Sequence, residues 1–166
     1  MANALFNTQA DKVRRQVLSP LGFKLYMMKE LPLAAFAGLR LRSLDEGGCT
    51  VMLPGGWRTQ NPFRSTYFAA QAMAAEMSTG APAMVLVRGS EARVSMLVTA
   101  IHARFTKKIA GPSQFTFRDI SEMASTIERA AQTGEAAAFV ARSVGRNAAG
   151  DVASEFEVEW SFKRRD

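Results

Sequence analysis

The sequence predicts an α+β fold in which an antiparallel sheet curls around one long helix, and three observations carry that expectation. Between Arg64 and Arg88 the only charged residue is Glu76, so the Ala-rich helix expected over roughly 66–79 has no polar face and must be covered on most of its surface. Near the C-terminus Phe156, Val158, Trp160 and Phe162 alternate with Glu155, Glu157, Glu159 and Ser161, the period-two pattern of a strand with one dry and one wet face. Turn residues at 45–48 and 147–150 separate apolar runs, as hairpins require.

Taken in order, residues 7–18 set Asp11, Lys12, Arg14 and Arg15 around Val13, Val17 and Leu18, an amphipathic helix stopped by Ser19-Pro20. A second helix is expected over 21–30. Residues 34–44 read as a strand that turns at 45–48 and returns over 49–53. The segment 57–64 reads as a loop leading into the uncharged helix, which Gly80 is expected to close. Strands are then expected at 83–88, 92–105 and 113–117, and a helix at 119–133 stopped by Gly134. The last two strands form a hairpin in which Arg146 faces Asp151, Phe139 faces Val158, Ala141 faces Phe156 and Arg142 faces Glu155. A helix packed on an open sheet would leave one side in water and carry charges there, so a sheet wrapped around the helix, the hotdog arrangement, is the expectation. It divides the chain into an N-terminal helical extension over 1–32 and a main domain over 33–166.

Composition bounds the function. At 166 residues, 48% hydrophobic and 22% charged, the chain is an ordinary globular length and mixture, which excludes disordered, collagen-like and rod-like proteins. Twenty-one Lys and Arg against fifteen Asp and Glu give a net charge of +6, which favours an anionic partner. The basic residues are scattered, with no recognition helix or stacking-aromatic motif, so no nucleic-acid partner is expected. One cysteine, Cys49, and one histidine, His102, exclude an intrachain disulfide and a Cys/His zinc cluster; no metal or other cofactor is expected. Without an 18-residue apolar run or a basic-then-apolar leader, the expectation is a cytoplasmic protein with no stable membrane insertion.

The stretch from Asn61 through Arg64, Tyr67, Phe68 and Ala69 to Glu76 resembles the hotdog acyl-CoA thioesterases, which carry Asn-x-x-Gly-x-x-His-Gly-Gly and an acidic residue fifteen positions after the Asn; Asn61 and Glu76 stand at that spacing. The match looks like an uncharacterised branch with an Arg-x-x-Asn lead-in from Arg58 to Asn61 and a Tyr-Phe helix start. It departs at Arg64 for the Gly, Tyr67 for the His, and Phe68 and Ala69 for the paired Gly residues. The resemblance implies an acyl-CoA or related thioester as substrate, with coenzyme A present only as part of it. It also implies a site between subunits, with the acid from one and the helix start from the other, hence a homodimer or a tetramer built from dimers.

Residue by residue, Glu76 is the candidate general base or nucleophile, because a carboxylate in apolar surroundings is costly to ionise and reacts near neutral pH. The bland alternative is a buried Glu tied to a strand by an Arg or a backbone N–H, with Gln71 or Thr79 orienting it in either case. The helix start at Phe68 and Ala69 offers unpaired N–H groups to an oxyanion. Asn61 either holds a water or fixes the loop. Tyr67 offers a hydroxyl where the family has His. Arg58, Arg64, Lys107 and Lys108 are candidate anchors for coenzyme A phosphates, each otherwise a solvated charge. His102 reads as a structural or surface residue and Cys49 as core filling. A non-catalytic protein that binds an acyl-CoA or fatty-acyl ligand is the competing reading.

Overall fold

A computed structural model describes residues 5–165; residues 1–4 and Asp166, at the ends of the two expected ranges, lie outside the described residues. Three helices come first, α1 (Thr8–Leu18), α2 (Pro20–Glu30) and α3 (Pro32–Ala37), followed by the hairpin β1 (Arg40–Asp45) and β2 (Gly48–Leu53). The long helix α4 (Phe68–Gly89) leads to β3 (Val94–Phe105), β4 (Ser113–Phe117), α5 (Ile120–Thr133), β5 (Ala137–Asn147) and β6 (Val152–Arg164). The six strands form one antiparallel sheet in the order β1-β2-β4-β5-β6-β3, and α4 packs against every strand from β2 to β6. This is the hotdog arrangement that the uncharged helix predicts.

Three local expectations are corrected. First, residues 34–37 are helical rather than the start of a strand. Pro32 sits in the first turn with its ring preset for helix, Gly38 ends α3 in the left-handed region at φ 78°, and the strand begins only at Arg40. Second, α4 does not stop at Gly80. It runs through Gly80 and Pro82 to Gly89 and absorbs the strand expected at 83–88. Its second half is buried around nearly its whole circumference, with Ala81, Pro82, Ala83, Val85, Leu86 and Gly89 in the core, so packing outweighs the hydrogen bond that Pro82 cannot donate. Third, the β5–β6 register is displaced by two residues. Phe139 faces Trp160, Ala141 faces Val158 and Arg142 faces Glu157, because an irregularity at Gly145/Arg146 places Arg146 opposite Val152. A shift of two keeps every side chain on its expected face. Arg142 still reaches Glu155, diagonally, in a 2.6 Å ion pair.

The core lies between the helix-facing side of the sheet and α4, with Val51, Phe115, Phe117, Phe156, Val158 and Phe162 buried against Ala74, Ala75 and Val85. The N-terminal helices share it through Val13, Val17, Phe23 and Met27. Helix α1 lies against the end of α4 so closely that a Cβ on Gly89 would stand 2.6 Å from that of Ala10. Asn7 fastens this contact, accepting from the Ala10 N–H as the cap of α1 and donating to the Gly89 carbonyl at 2.7 Å. Cys49 is wholly buried, and burial raises its thiol pKa, in keeping with core filling. His102 is exposed on the edge strand β3, opposite Glu157.

Candidate active site

The loop before α4 is held by its own polar groups. The Asn61 side-chain oxygen accepts from the Phe63 N–H at 3.0 Å, the Ser65 N–H at 3.2 Å and the Ser65 hydroxyl at 3.0 Å, so Asn61 fixes the loop. Within that loop Arg64 takes φ 56°, the only non-glycine in the left-handed region among the described residues. The resembled motif has at this position Gly, the residue that suits such a conformation. Two further bonds seat the helix start: Thr66 N–H donates to the Ile109 carbonyl at 2.8 Å, and Tyr67 N–H to the Thr59 carbonyl at 2.7 Å.

Helix α4 then begins without a side-chain cap, Tyr67 being the N-cap. The N–H groups of Phe68 and Ala69 have no hydrogen-bond partner among the described residues, leaving two donors at the positive end of the helix dipole. Beside them opens a cleft of about 590 Å³ between this helix start and the end of β3. Asn61, Tyr67, Phe68, Lys107 and Lys108 all line it, as do Gln71 and Phe105, which the sequence did not single out as contacts. Lys108 donates to the Phe63 carbonyl at 2.7 Å and Lys107 pairs with Asp151 at 3.2 Å, so both ammonium groups are drawn to the rim. Lys107 and Asn147 together hold the Asp151 carboxyl below the usual carboxylate range. Gln71 is buried; its amide N–H donates to the Thr66 carbonyl at 3.2 Å while its own oxygen has no partner among the described residues.

Other sequence candidates lie elsewhere. Arg58 lays its guanidinium on Gly38, 2.9 Å from where a Cβ would stand, and Arg64 is exposed on the loop; neither lines the cleft. Glu76 is eight residues beyond Phe68, roughly 12 Å along the helix at 1.5 Å per residue, so one chain does not bring it to the Phe68 and Ala69 donors.

The surroundings of Glu76 are nonetheless unusual for a structural carboxylate. Its Oε1 lies over Gly80, 2.9 Å from where a Cβ would stand, and the Trp160 ring lies 3.2 Å from the same point, so glycine is what admits both groups. The donors expected to orient it are committed elsewhere. Thr79 donates to the Glu76 backbone carbonyl at 2.9 Å and accepts from the Trp160 indole N–H at 3.0 Å, and Gln71 bonds to Thr66. Burial alone, with no charge partner, pushes the Glu76 pKa above the usual carboxylate range.

Glu76 also stands on an open stripe. In the first half of α4, Ala69, Ala72, Met73 and Glu76 are the half-buried positions, spaced i, i+3, i+4, i+7 on one face that leads back to the helix start. Close by, β3 is an edge strand of twelve residues, and its Ile101 and Phe105 remain about half exposed although they pair with positions on the helix-facing side of β6.

The family of this chain is decided by a match over residues 21–161, nearly the whole of the described structure, to a domain of unknown function, DUF4442. The chain belongs to that family. Among curated proteins none matches it at the level of sequence. Solved structures match it in fold. PA5026 of Pseudomonas aeruginosa, described as a probable thioesterase, superposes with a TM-score of 0.72 at 20% identity, covering 88% of this chain and 97% of its own. The thioesterase HI1161 of Haemophilus influenzae gives 0.66 at 12% identity, over 88% and 91% of the two chains. The PaaI protein of the E. coli phenylacetic acid degradation operon gives 0.62 at 14% identity, over 96% and 97%. These likenesses establish the fold as that of the thioesterase-type hotdog proteins. No helix of the described residues is long and apolar enough to cross a membrane, and no group of three or more potential metal ligands lies among them.

Proposed function

We propose that this protein is a thioester hydrolase of acyl-CoA type that works as a homodimer, each site joining Glu76 of one protomer to the α4 start of its partner. The observation that carries the reading is the Glu76 carboxylate: half-buried, without an ion-pair or hydrogen-bond partner among the described residues and raised in pKa, it stands on an uncovered stripe that leads to two unpaired N–H groups. A second protomer laid along β3 would pair that strand's free edge and cover the α4 stripe, and the distance that separates acid and donors in one chain would be bridged from the other.

In this site a water beside Glu76 gives its proton to the carboxylate while its oxygen forms a bond to the thioester carbonyl carbon. The carbonyl oxygen, now anionic, accepts hydrogen bonds from the Phe68 and Ala69 N–H groups. Collapse breaks the carbon–sulfur bond, and the departing thiolate takes up the proton that Glu76 received. Lys107 and Lys108, at the cleft rim, are placed to pair with coenzyme A phosphates by exchanging their present partners.

One observation favours the competing reading, a non-catalytic binder of acyl-CoA or a fatty-acyl chain. The Phe68 side chain is 57% exposed at the helix start and stacks edge-on against Tyr67, where a reacting carbonyl must approach. Thiol release from short, medium, long and aromatic acyl-CoAs, in native protein and in Glu76→Gln, separates the two. Sustained turnover that falls on the order of 10²–10⁴-fold in Glu76→Gln is expected. Because the base must be ionised, turnover in the native protein should rise with pH through an apparent pKa above the ordinary carboxylate range. No turnover on any thioester, with saturable acyl-CoA binding by both proteins, contradicts the hydrolase.

A further inference from the structure

Helix α2 carries two apolar faces. Phe23 and Met27 enter the core, whereas Leu21, Leu25 and Met28, at i, i+4 and i+7, point the opposite way and are each more than half exposed. On a helical wheel Lys24 and Lys29 fall on either side of that outer row. The next helix repeats the pattern: Ala34 and Ala37 of α3 are buried, while Leu33 and Phe36 are more than half exposed. Trp57, 74% exposed, comes from the loop after β2 and meets Phe36 edge-on with ring centroids 6.0 Å apart. Arg58 follows it and lies against Gly38 at the end of α3. Six large apolar side chains thus stand in water on two consecutive helices and the loop that touches the second, more than scattered surface residues account for.

We propose that α2, α3 and Trp57 form a docking face for an anionic phospholipid surface. The cations select this occupant. Lys24 and Lys29 flank the row on α2 and Arg58 lies at the end of α3, all exposed, against Glu30 as the one acid of the two helices, which pairs with Lys29 at 3.2 Å. Basic residues flanking an apolar row, with a tryptophan at its edge, suit a layer whose headgroups are anionic and whose interior is apolar. A second copy fits less well, because two such faces meeting across a two-fold axis would set the lysines of α2 against one another. The sequence alone offers a short apolar row broken at Ser19-Pro20. In the structure Ser19 ends α1 and caps α2 as a separate helix, and the next helix adds the exposed Leu33 and Phe36. The proposal holds whether or not the cleft hydrolyses a thioester.

Flotation of the whole chain with phosphatidylcholine vesicles, with and without about one quarter phosphatidylglycerol, tests the face against the known scale of such attractions. Trp57 supplies a readout that needs no variant, since Trp160 is buried and only Trp57 can move its emission to the blue on contact. Co-flotation and a blue shift with the anionic vesicles, weakened by salt, are expected. Lys24→Gln with Lys29→Gln should lower the partition roughly tenfold or more, and Leu25→Glu should abolish it with the melting temperature unchanged, since that side chain lies outside the core. Glu76→Gln should float as native protein does. Failure of native protein to bind anionic vesicles overturns the proposal. So does undiminished binding by Leu25→Glu, or a native oligomer that Leu25→Glu dissociates, which would assign the face to a second copy.

Discussion

The two halves of α4 each carry one charged residue, Glu76 in the first and Arg88 in the second, yet have opposite surroundings. From Met77 to Gly89 the helix is sealed: only Met84, Val87 and Arg88 keep appreciable exposure, α1 covers its end at Gly89, and Ser78 binds the Ser143 hydroxyl at 2.8 Å across the core. From Phe68 to Glu76 an Ala-rich stretch keeps an open stripe and, among the described residues, two unpaired amides and an unpaired acid. Lack of charge therefore means two things in one helix. In the second half it reflects a core completed by the protein's own chain; in the first it leaves a surface unfinished, where a carboxylate is kept at a cost in stability. Glu76 binds its proton more tightly folded than unfolded, so its contribution is most favourable below the unfolded pKa and is lost as pH rises through the folded one.

Substitutions in the two halves should therefore differ in kind. The largest effect is expected at Ala69→Pro, which removes one amide donor in the first turn, where proline fits a helix. Turnover should fall on the order of 10²–10³-fold with little change in melting temperature, and steady-state thiol release beside a thermal melt would show whether the two separate. In the sealed half the order reverses. Gly89→Ala forces its new methyl onto Ala10 and should destabilise by about 1–3 kcal/mol in urea titration. Ser78→Ala strips Ser143 of its partner at zero exposure and should cost about 1–2 kcal/mol by the same titration. The smallest effect is a gain: Arg64→Gly relieves a left-handed side-chain residue and should raise stability by under about 1 kcal/mol, seen as a small rise in the denaturation midpoint.

What the sequence reveals follows the same division. Burial of α4 is legible because Glu76 is the only charge over more than twenty residues, and β6 because its alternation is uninterrupted. The end of α4 is not, since Gly80 and Pro82 carry strong local stop signals that only tertiary packing overrides; Gly80 is there for Glu76 and Trp160. The helix at 32–37 is hidden because a short apolar run carries no period that separates helix from strand. In the site, it is the resemblance over 61–76 that points to the loop and helix start around Asn61. The arginines are not: whether a surface cation faces a cleft depends on the loop's path, which places Arg58 on Gly38. The cleft contacts Phe105 and Ile109 lie on either side of the candidate anchors Lys107 and Lys108, some forty residues from the helix start, and nothing local in the sequence says that this segment folds against it.

The central claim is that the acid and the amides act from different protomers, and subunit complementation tests it most directly. Glu76→Gln and Ala69→Pro are prepared separately, dissociated, mixed in equal amounts and reassociated. Each is expected to be nearly inactive alone. Because one of the two sites in every mixed dimer is intact, the mixture should recover about one quarter of native turnover for random pairing of a two-fold dimer. A mixture no more active than its two components, with mixed dimers demonstrated by mass, would contradict the shared site and return both groups to a single chain.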